Sequence, residues 1–215
     1  MSFFRNVRRS SIEGAGTIDS QLLNSKNAIR SALIDAIKEL QVRYKDTTHS
    51  STIGTNEDST ILLNALEALL LHGLKENQAT WTKRVSAVTR AMDPSFWTYV
   101  LIFSHKDTIR RIDSLKQISS DVGRSRAWLR LALNDGFLSS YLNMMMADKI
   151  SAQRFYERGA ILRDSECLDV IAKYITGIEI YKFDLALNSG LLNKWSKAPL
   201  TIAGLIQASD RYSIF

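Results

Sequence analysis

Asp121-Val122-Gly123-Arg124-Ser125-Arg126-Ala127-Trp128-Leu129-Arg130-Leu131-Ala132-Leu133-Asn134-Asp135-Gly136 is the stretch that decides the fold. Its spacing predicts one complete helix with both ends marked. Asp121 can accept hydrogen bonds from the free N–H groups of the first turn. Gly136 can take the left-handed conformation just past the last turn. Between them Ala127, Trp128, Leu129, Leu131, Ala132 and Leu133 cover most of the circumference. Arg126, Arg130 and Asn134 recur at helical spacing and form one narrow polar strip. A rod this apolar belongs at the centre of a bundle. Arg124 and Arg126 fall in the first turn, where the helix dipole disfavours positive charge by about 0.3–1 kcal/mol each. Local helix stability gives no reason for them. The reading therefore expects an acidic group elsewhere in the chain, or a partner.

The chain has 215 residues, enough for one domain with a sizeable core. No apolar run approaches the roughly 18–20 residues that cross a bilayer. Met1 to Arg9 is basic but has no apolar h-region, so it does not read as a secretory signal. The single cysteine, Cys167, rules out internal disulfides and thiolate-rich zinc sites and fits a reducing compartment. The expected location is the cytosol. Net charge is +6, and from Ser104 to Arg163 there are 11 Lys and Arg against 6 Asp and Glu. That surplus points to an acidic partner surface or anionic lipid. Nucleic acid is not expected, because no zinc-finger, basic-zipper or aromatic-sheet signature accompanies the charge.

Outward from the central helix, periodicity predicts further helices. Lys26 to Lys45 carries Ile29, Leu33, Ala36, Ile37, Leu40 and Tyr44 at helical spacing. A polar loop follows over Asp46 to Asn56. Thr55 with Asp58 reads as a capping box for a helix from Glu57 to His72, stopped by Gly73. Two readings stay open for His72: a hydrogen-bonded structural histidine, or a protonated imidazole favoured by the helix end. Lys75 to Asp93 reads as an insertion, with a short amphipathic helix through Trp81, Val85, Val88 and Met92. Asp93-Pro94 predicts a helix start. Ser104 with Asp107 predicts another, running to about Lys116 through Ile109, Ile112 and Leu115. Leu138, Tyr141, Leu142 and Met145 mark the next, with Met144-Met145-Met146 as core filler. Asp148 to Tyr156 is a shorter helix. Leu168, Ile171, Ala172 and Ile175 make the last long one, ended by Gly177. Ile178 to Leu187 moves to near period 2 and reads as extended. Asn193 to Leu205 holds one or two helical turns.

The expected fold is all-α, one compact bundle of about eight to nine helices with a short extended C-terminal segment. The expected organisation is a flexible arm over 1–23, a domain over 24–206 with the insertion at 75–93, and a tail over 207–215. Catalytic chemistry has little to stand on. His49, His72 and His105 are scattered, with no metal-ligand spacing. No nucleophile elbow or phosphate loop appears. Cys167 sits beside an apolar helix face and reads as buried. No enzyme activity and no cofactor or metal are expected.

Three segments together resemble a RUN domain. The first is Leu62-Leu63-Asn64-Ala65-Leu66-Glu67-Ala68-Leu69-Leu70-Leu71-His72-Gly73-Leu74, similar to that family's early His-Gly-Leu helix. The second is Gly123-Arg124-Ser125-Arg126-Ala127-Trp128-Leu129-Arg130, similar to its most recognisable signature. The third is Phe155-Tyr156 through Leu162-Arg163-Asp164, followed by Phe183-Asp184-Leu185. Within the family, Leu131 to Gly136 and Leu191-Leu192-Asn193-Lys194-Trp195, with Pro199-Leu200 and Gly204-Leu205, look like the pleckstrin-homology-domain-containing family M adaptors. RUN-containing sorting nexins come second. No pleckstrin-homology or zinc-binding region follows, so the resemblance implies the N-terminal fragment of a longer adaptor.

That resemblance implies a non-enzymatic effector module for a GTP-loaded Arf-like or Rab GTPase. It further implies recruitment from the cytoplasm to the cytosolic face of late endosomes and lysosomes, with peripheral membrane association through the partner. Autophagosome–lysosome fusion, tethering complexes and kinesin subunits lie downstream in the same implication. The residues carried over for GTPase binding are His72, Arg124, Arg126 and Arg130. For Arg130 an ion pair with Glu67 or another acid is an equal alternative. The competing functional class is an anionic-lipid or phosphoinositide-binding recruitment module, in which each surface Lys or Arg contributes about 1 kcal/mol.

Overall fold

The computed structural model describes residues 3–45, 52–75 and 93–207, with side chains from Leu22 onward. Two helices buried on nearly all sides form its centre. One is α2, Glu57–Leu71, and the other is α5, Asp121–Asn134. Trp128 in α5 is fully buried, donates its indole N–H to Ser104 Oγ at 2.8 Å and packs against Tyr141. The predicted all-α bundle is the fold seen.

Around this pair, α1 (Phe3–Tyr44) lays Ile29, Leu33, Ile37 and Leu40 into the core along α2. The short α3 (Trp97–Val100) and α4 (Lys106–Asp113) pack on α5. Next come α6 (Leu138–Ala147), α7 (Lys149–Phe155), a 3-10 turn at Ile161–Arg163, and α8 (Ser165–Thr176), which packs on α6. A second 3-10 turn, Gly190–Asn193, caps α5, and α9 (Lys197–Ile202) lies on α2. The strip Leu138, Tyr141, Leu142 and Met145 is buried as its spacing predicts, whereas Met144 points outward.

The extended segment pairs with one the sequence reading leaves as loop. Thr52–Gly54 (β1) and Lys182–Asp184 (β2) form a parallel pair, with Ile53 opposite Phe183. Asn134, at the end of α5, exchanges hydrogen bonds with both the N–H and C=O of Leu185. The C-terminal end of α5 therefore lies beside β2, whose partner β1 leads into α2. The two central helices meet through Glu67, in the second half of α2, and Arg126 and Arg130 of α5.

Several predicted helix starts are displaced, each because tertiary bonds occupy the expected cap. Asn56 and Ser59 form the capping box of α2, while the Thr55 hydroxyl accepts the Ala186 N–H instead. Ser104 accepts from Trp128 and donates to Val100 O, so His105 caps α4, which ends at Asp113. Residues Asp93 to Phe96 are not helical, because Pro94 O accepts the Trp195 indole N–H and Ser95 bonds Ser125. Ser120, not Asp121, caps α5. At the far end Gly136 has φ +68°, and the bonds Gly136 N–H to Leu133 O and Phe137 N–H to Ala132 O close a Schellman motif.

The arm expected to be flexible over 1–23 is helical in its backbone from Phe3, continuous with α1. No proline interrupts it, and glycines at 14 and 16 each cost a helix only about 1 kcal/mol. His49, the insertion helix through Trp81 and Met92, and the tail beyond Gln207 lie outside the described residues.

Trp128→Ala is expected to destabilise the domain by about 3–5 kcal/mol, as deletion of a fully buried aromatic does. Chemical denaturation checks it: a midpoint unchanged from the parent would show that α5 is not the central element.

Candidate functional site

The polar strip of α5 faces inward. Arg126 Nε donates to Glu67 Oε1 at 2.9 Å, and an Arg130 amino group donates to the same oxygen at 3.1 Å. Glu67 is fully buried on α2, and both arginines are nearly so. A carboxylate taken from water is costly unless paired and hydrogen-bonded. Here two cations share one anion, and burial, opposed by Glu67, pulls the Arg130 guanidinium below its usual range. This ion triad supplies the acidic partner that Arg126 lacked in the sequence reading. It also pairs Arg130 with Glu67, the structural alternative in that reading.

Arg126 reaches further. Its Nη1 donates to the carbonyls of Leu191 (3.2 Å) and Lys194 (2.5 Å), and its guanidinium lies 5.6 Å from the Trp195 ring centre. One arginine thus ties α2, α5 and the 190–195 segment together. Asn193 completes the tie. Its side-chain oxygen accepts from the N–H groups of Ser119 and Ser120, and its amide donates to Gln117 O. The turn sits so close that a Cβ at Gly123 would run into Asn193 Oδ1, which explains a glycine inside a helix.

Arg124 is the signature residue at the surface. It donates to Asp121 at 2.8 Å and lies 3.6 Å from Asp113. These acids offset its unfavourable place in the first turn. Leu191, on the neighbouring 3-10 turn, is 85% exposed. Sequence reasoning missed Asn193 and Leu191 as site residues. Their signal was a Leu-Leu-Asn-Lys-Trp string whose first leucine has no helical face to join.

His72 is fully buried at the end of α2. Nδ1 accepts the Ile161 N–H at 3.1 Å, so the proton belongs on Nε2, which lies 2.9 Å from Leu22 O and donates to it. The ring joins α1, α2 and the 161–163 turn as a neutral group. Burial lowers its pKa, against the hydrogen bond to Leu22. Gly73, next in sequence, has φ +69°, and a Cβ there would lie 2.7 Å from the Ala160 Cβ.

Of the four residues carried over from the resemblance, Arg126 and Arg130 meet at Glu67, while His72 and Arg124 have separate partners. Much of the mid-chain positive charge is consumed nearby: Arg110 pairs with Asp107, and Arg111 with Asp135 at 2.7 Å. Among the described residues no His, Cys, Asp and Glu group could hold a metal. No helix among them is long and apolar enough to cross a membrane. The half-buried Cys167 thiol is pushed up by burial and by Asp164, away from thiolate chemistry.

Comparison with known proteins matches the RUN domain family over residues 61–189. Two similar proteins are Pleckstrin homology domain-containing family M member 2 of Mus musculus, 28% identical over 160 residues, and that of Homo sapiens, 26% identical over 160. Each alignment covers 74% of this chain but only 14% of the relative.

Two outcomes test this geometry. Glu67→Ala leaves two buried cations unpaired and is expected to cost about 3–5 kcal/mol, read by denaturant unfolding; a loss within measurement error would show that the triad does not hold the helices. His72 gives a pH signature. Its folded pKa lies below the unfolded value of about 6.5, so the unfolded chain binds the proton more readily. Its contribution is complete above that value and declines as pH falls toward the folded pKa. Melting temperature should drop from pH 7.5 to 5.5 more steeply in the parent than in His72→Gln. Parallel curves would contradict the neutral buried imidazole.

Proposed function

This chain belongs to the RUN domain family, and from that premise we propose that it is a non-enzymatic adaptor module that binds a GTP-loaded small GTPase of the Arf-like or Rab type. The likeness to the family M proteins supports the Arf-like choice. With it go recruitment to the cytosolic face of late endosomes and lysosomes, a role in fusion with autophagosomes, and kinesin subunits or tethering complexes as later partners.

The observation that carries the reading is a partly exposed signature arginine, Arg124, at the start of α5, the helix against which the turn bearing the exposed Leu191 packs. That combination suits a protein surface offering acidic or carbonyl oxygens beside an apolar patch. Arginine is favoured there because its planar fork supplies several directed donors. Of the four residues carried over from the resemblance, Arg124 is the one assigned direct contact. Arg126 acts by presenting the 190–194 segment. Arg130 acts through Glu67, and His72 by fixing the junction of α1 with the end of α2. Arg110, Arg111 and Arg124 each face a carboxylate, which favours the protein-partner reading over lipid recruitment by that region.

Arg124→Ala combined with Leu191→Ser is expected to weaken binding to the GTP-loaded partner about tenfold or more, with little change in melting temperature. Arg126→Ala should lower both binding and stability. Titration calorimetry against GTP- and GDP-locked Arf-like and Rab proteins checks this. Full affinity in the first variant, or binding indifferent to the nucleotide, would overturn the reading.

A further inference from the structure

The stretch around α7 keeps positive charge that the fold does not neutralise. Residues 149–163 hold Lys149, Arg154, Arg158 and Arg163 against Glu157 alone. Among the described residues none of these four cations forms an ion pair. Arg163 donates to Tyr156 O at 3.3 Å, and Arg154 lies against the Phe155 ring. The two flanking acids are spent elsewhere: Asp148 caps α7 on the Ser151 hydroxyl and N–H, and Asp164 caps α8 and pairs with Lys26.

Beside this stretch a cleft opens between α6, α7 and α8, of about 400 Å³ with the solvent at its mouth included. Met145, Met146, Leu162 and Leu168 line it, with Lys149 and Arg163 among its walls and no Asp or Glu. Ile150, next to Lys149, is 82% exposed. A cleft with buried apolar side chains at its floor and unpaired cations in its walls matches one kind of occupant: an apolar side chain flanked by carboxylates. Methionine side chains are unbranched and adapt to ligands of different shape.

We propose that this cleft is a docking site for a short acidic peptide segment of a partner protein. The peptide seats one apolar side chain among Met145, Met146, Leu162 and Leu168 and sets its flanking carboxylates on Lys149 and Arg163. A peptide is favoured over a membrane because the apolar atoms lie at the bottom of a cleft, which a flat bilayer surface does not enter. The cleft is built from α6, α7, α8 and the 161–163 turn, and the Arg124–Leu191 surface from α5 and the 190–193 turn. The two sites use separate elements, so one module can hold two partners at once.

The test uses the full chain with ¹³C-methyl-labelled methionine, titrated with twelve-residue peptides. Each peptide carries one central Leu, Phe or Ser flanked by Glu or by Lys. Glu-flanked Leu or Phe is expected to shift the Met145 and Met146 methyl signals. Glu-flanked Ser and all Lys-flanked peptides should leave them in place. Lys149→Glu, a surface change expected to keep the parent melting temperature, should weaken the binding about tenfold or more through like-charge repulsion. Arg124→Ala should bind the peptide as the parent does, which separates this site from the one proposed above. No shift of either methyl with any peptide, or equal binding by Lys149→Glu, would overturn the proposal. So would phosphatidylserine vesicles that bind the chain through Lys149 while the peptides do not.

Discussion

A single buried carboxylate sets the arrangement of the two central helices. Glu67 lies fully inside the protein, and Arg126 and Arg130 both donate to its Oε1. Removing Glu67 leaves two uncompensated cations in the core, which is far more costly than losing a surface pair. The pairing therefore holds α2 against α5 in one register, while apolar packing alone tolerates shifts. From there the constraint passes outward along bonds. Arg126 holds the carbonyls of Leu191 and Lys194, and Asn193 between them clamps Ser119 and Ser120. Ser120 caps α5, and one turn later Arg124 reaches the surface. The exposed arginine is thus placed by a carboxylate that solvent never touches.

The fold was legible where a helix announces itself by period. Trp128 and the buried stripe of α6 follow directly from spacing, and Gly136 ends α5 as a left-handed glycine should. Helix starts were harder to read, because several side chains can cap and the choice among them is made elsewhere in the fold. Ser104 is drawn off by Trp128, and Thr55 by Ala186. The three-residue strand Thr52–Gly54 is too short to show a period, and its partner lies at Lys182–Asp184.

The candidate site was legible in its residue types but not in their depth. The resemblance pointed to His72, Arg124, Arg126 and Arg130; the structure pairs Arg126 and Arg130 with Glu67, leaves Arg124 with Asp121 at the surface and buries His72 against Leu22 and Ile161. Sequence gives charge and position along a helix, and it does not say which face turns inward. Asn134, on the same strip, holds Leu185. Part of the excess of positive charge in mid-chain had the same origin, because Arg126 and Arg130 meet Glu67, outside that stretch, only in the fold. What pairing leaves over collects around α7, on elements separate from those that present Arg124.

The central claim is that a buried ion triad presents Arg124 and Leu191 as one partner surface. Hydrogen–deuterium exchange of the domain, free and with a GTP-loaded Arf-like GTPase, tests it most directly. The account predicts new protection confined to the start of α5 with residues 117–124 and to the 189–194 segment. Protection concentrated on α6 to α8, with the start of α5 exchanging as in the free domain, would contradict it.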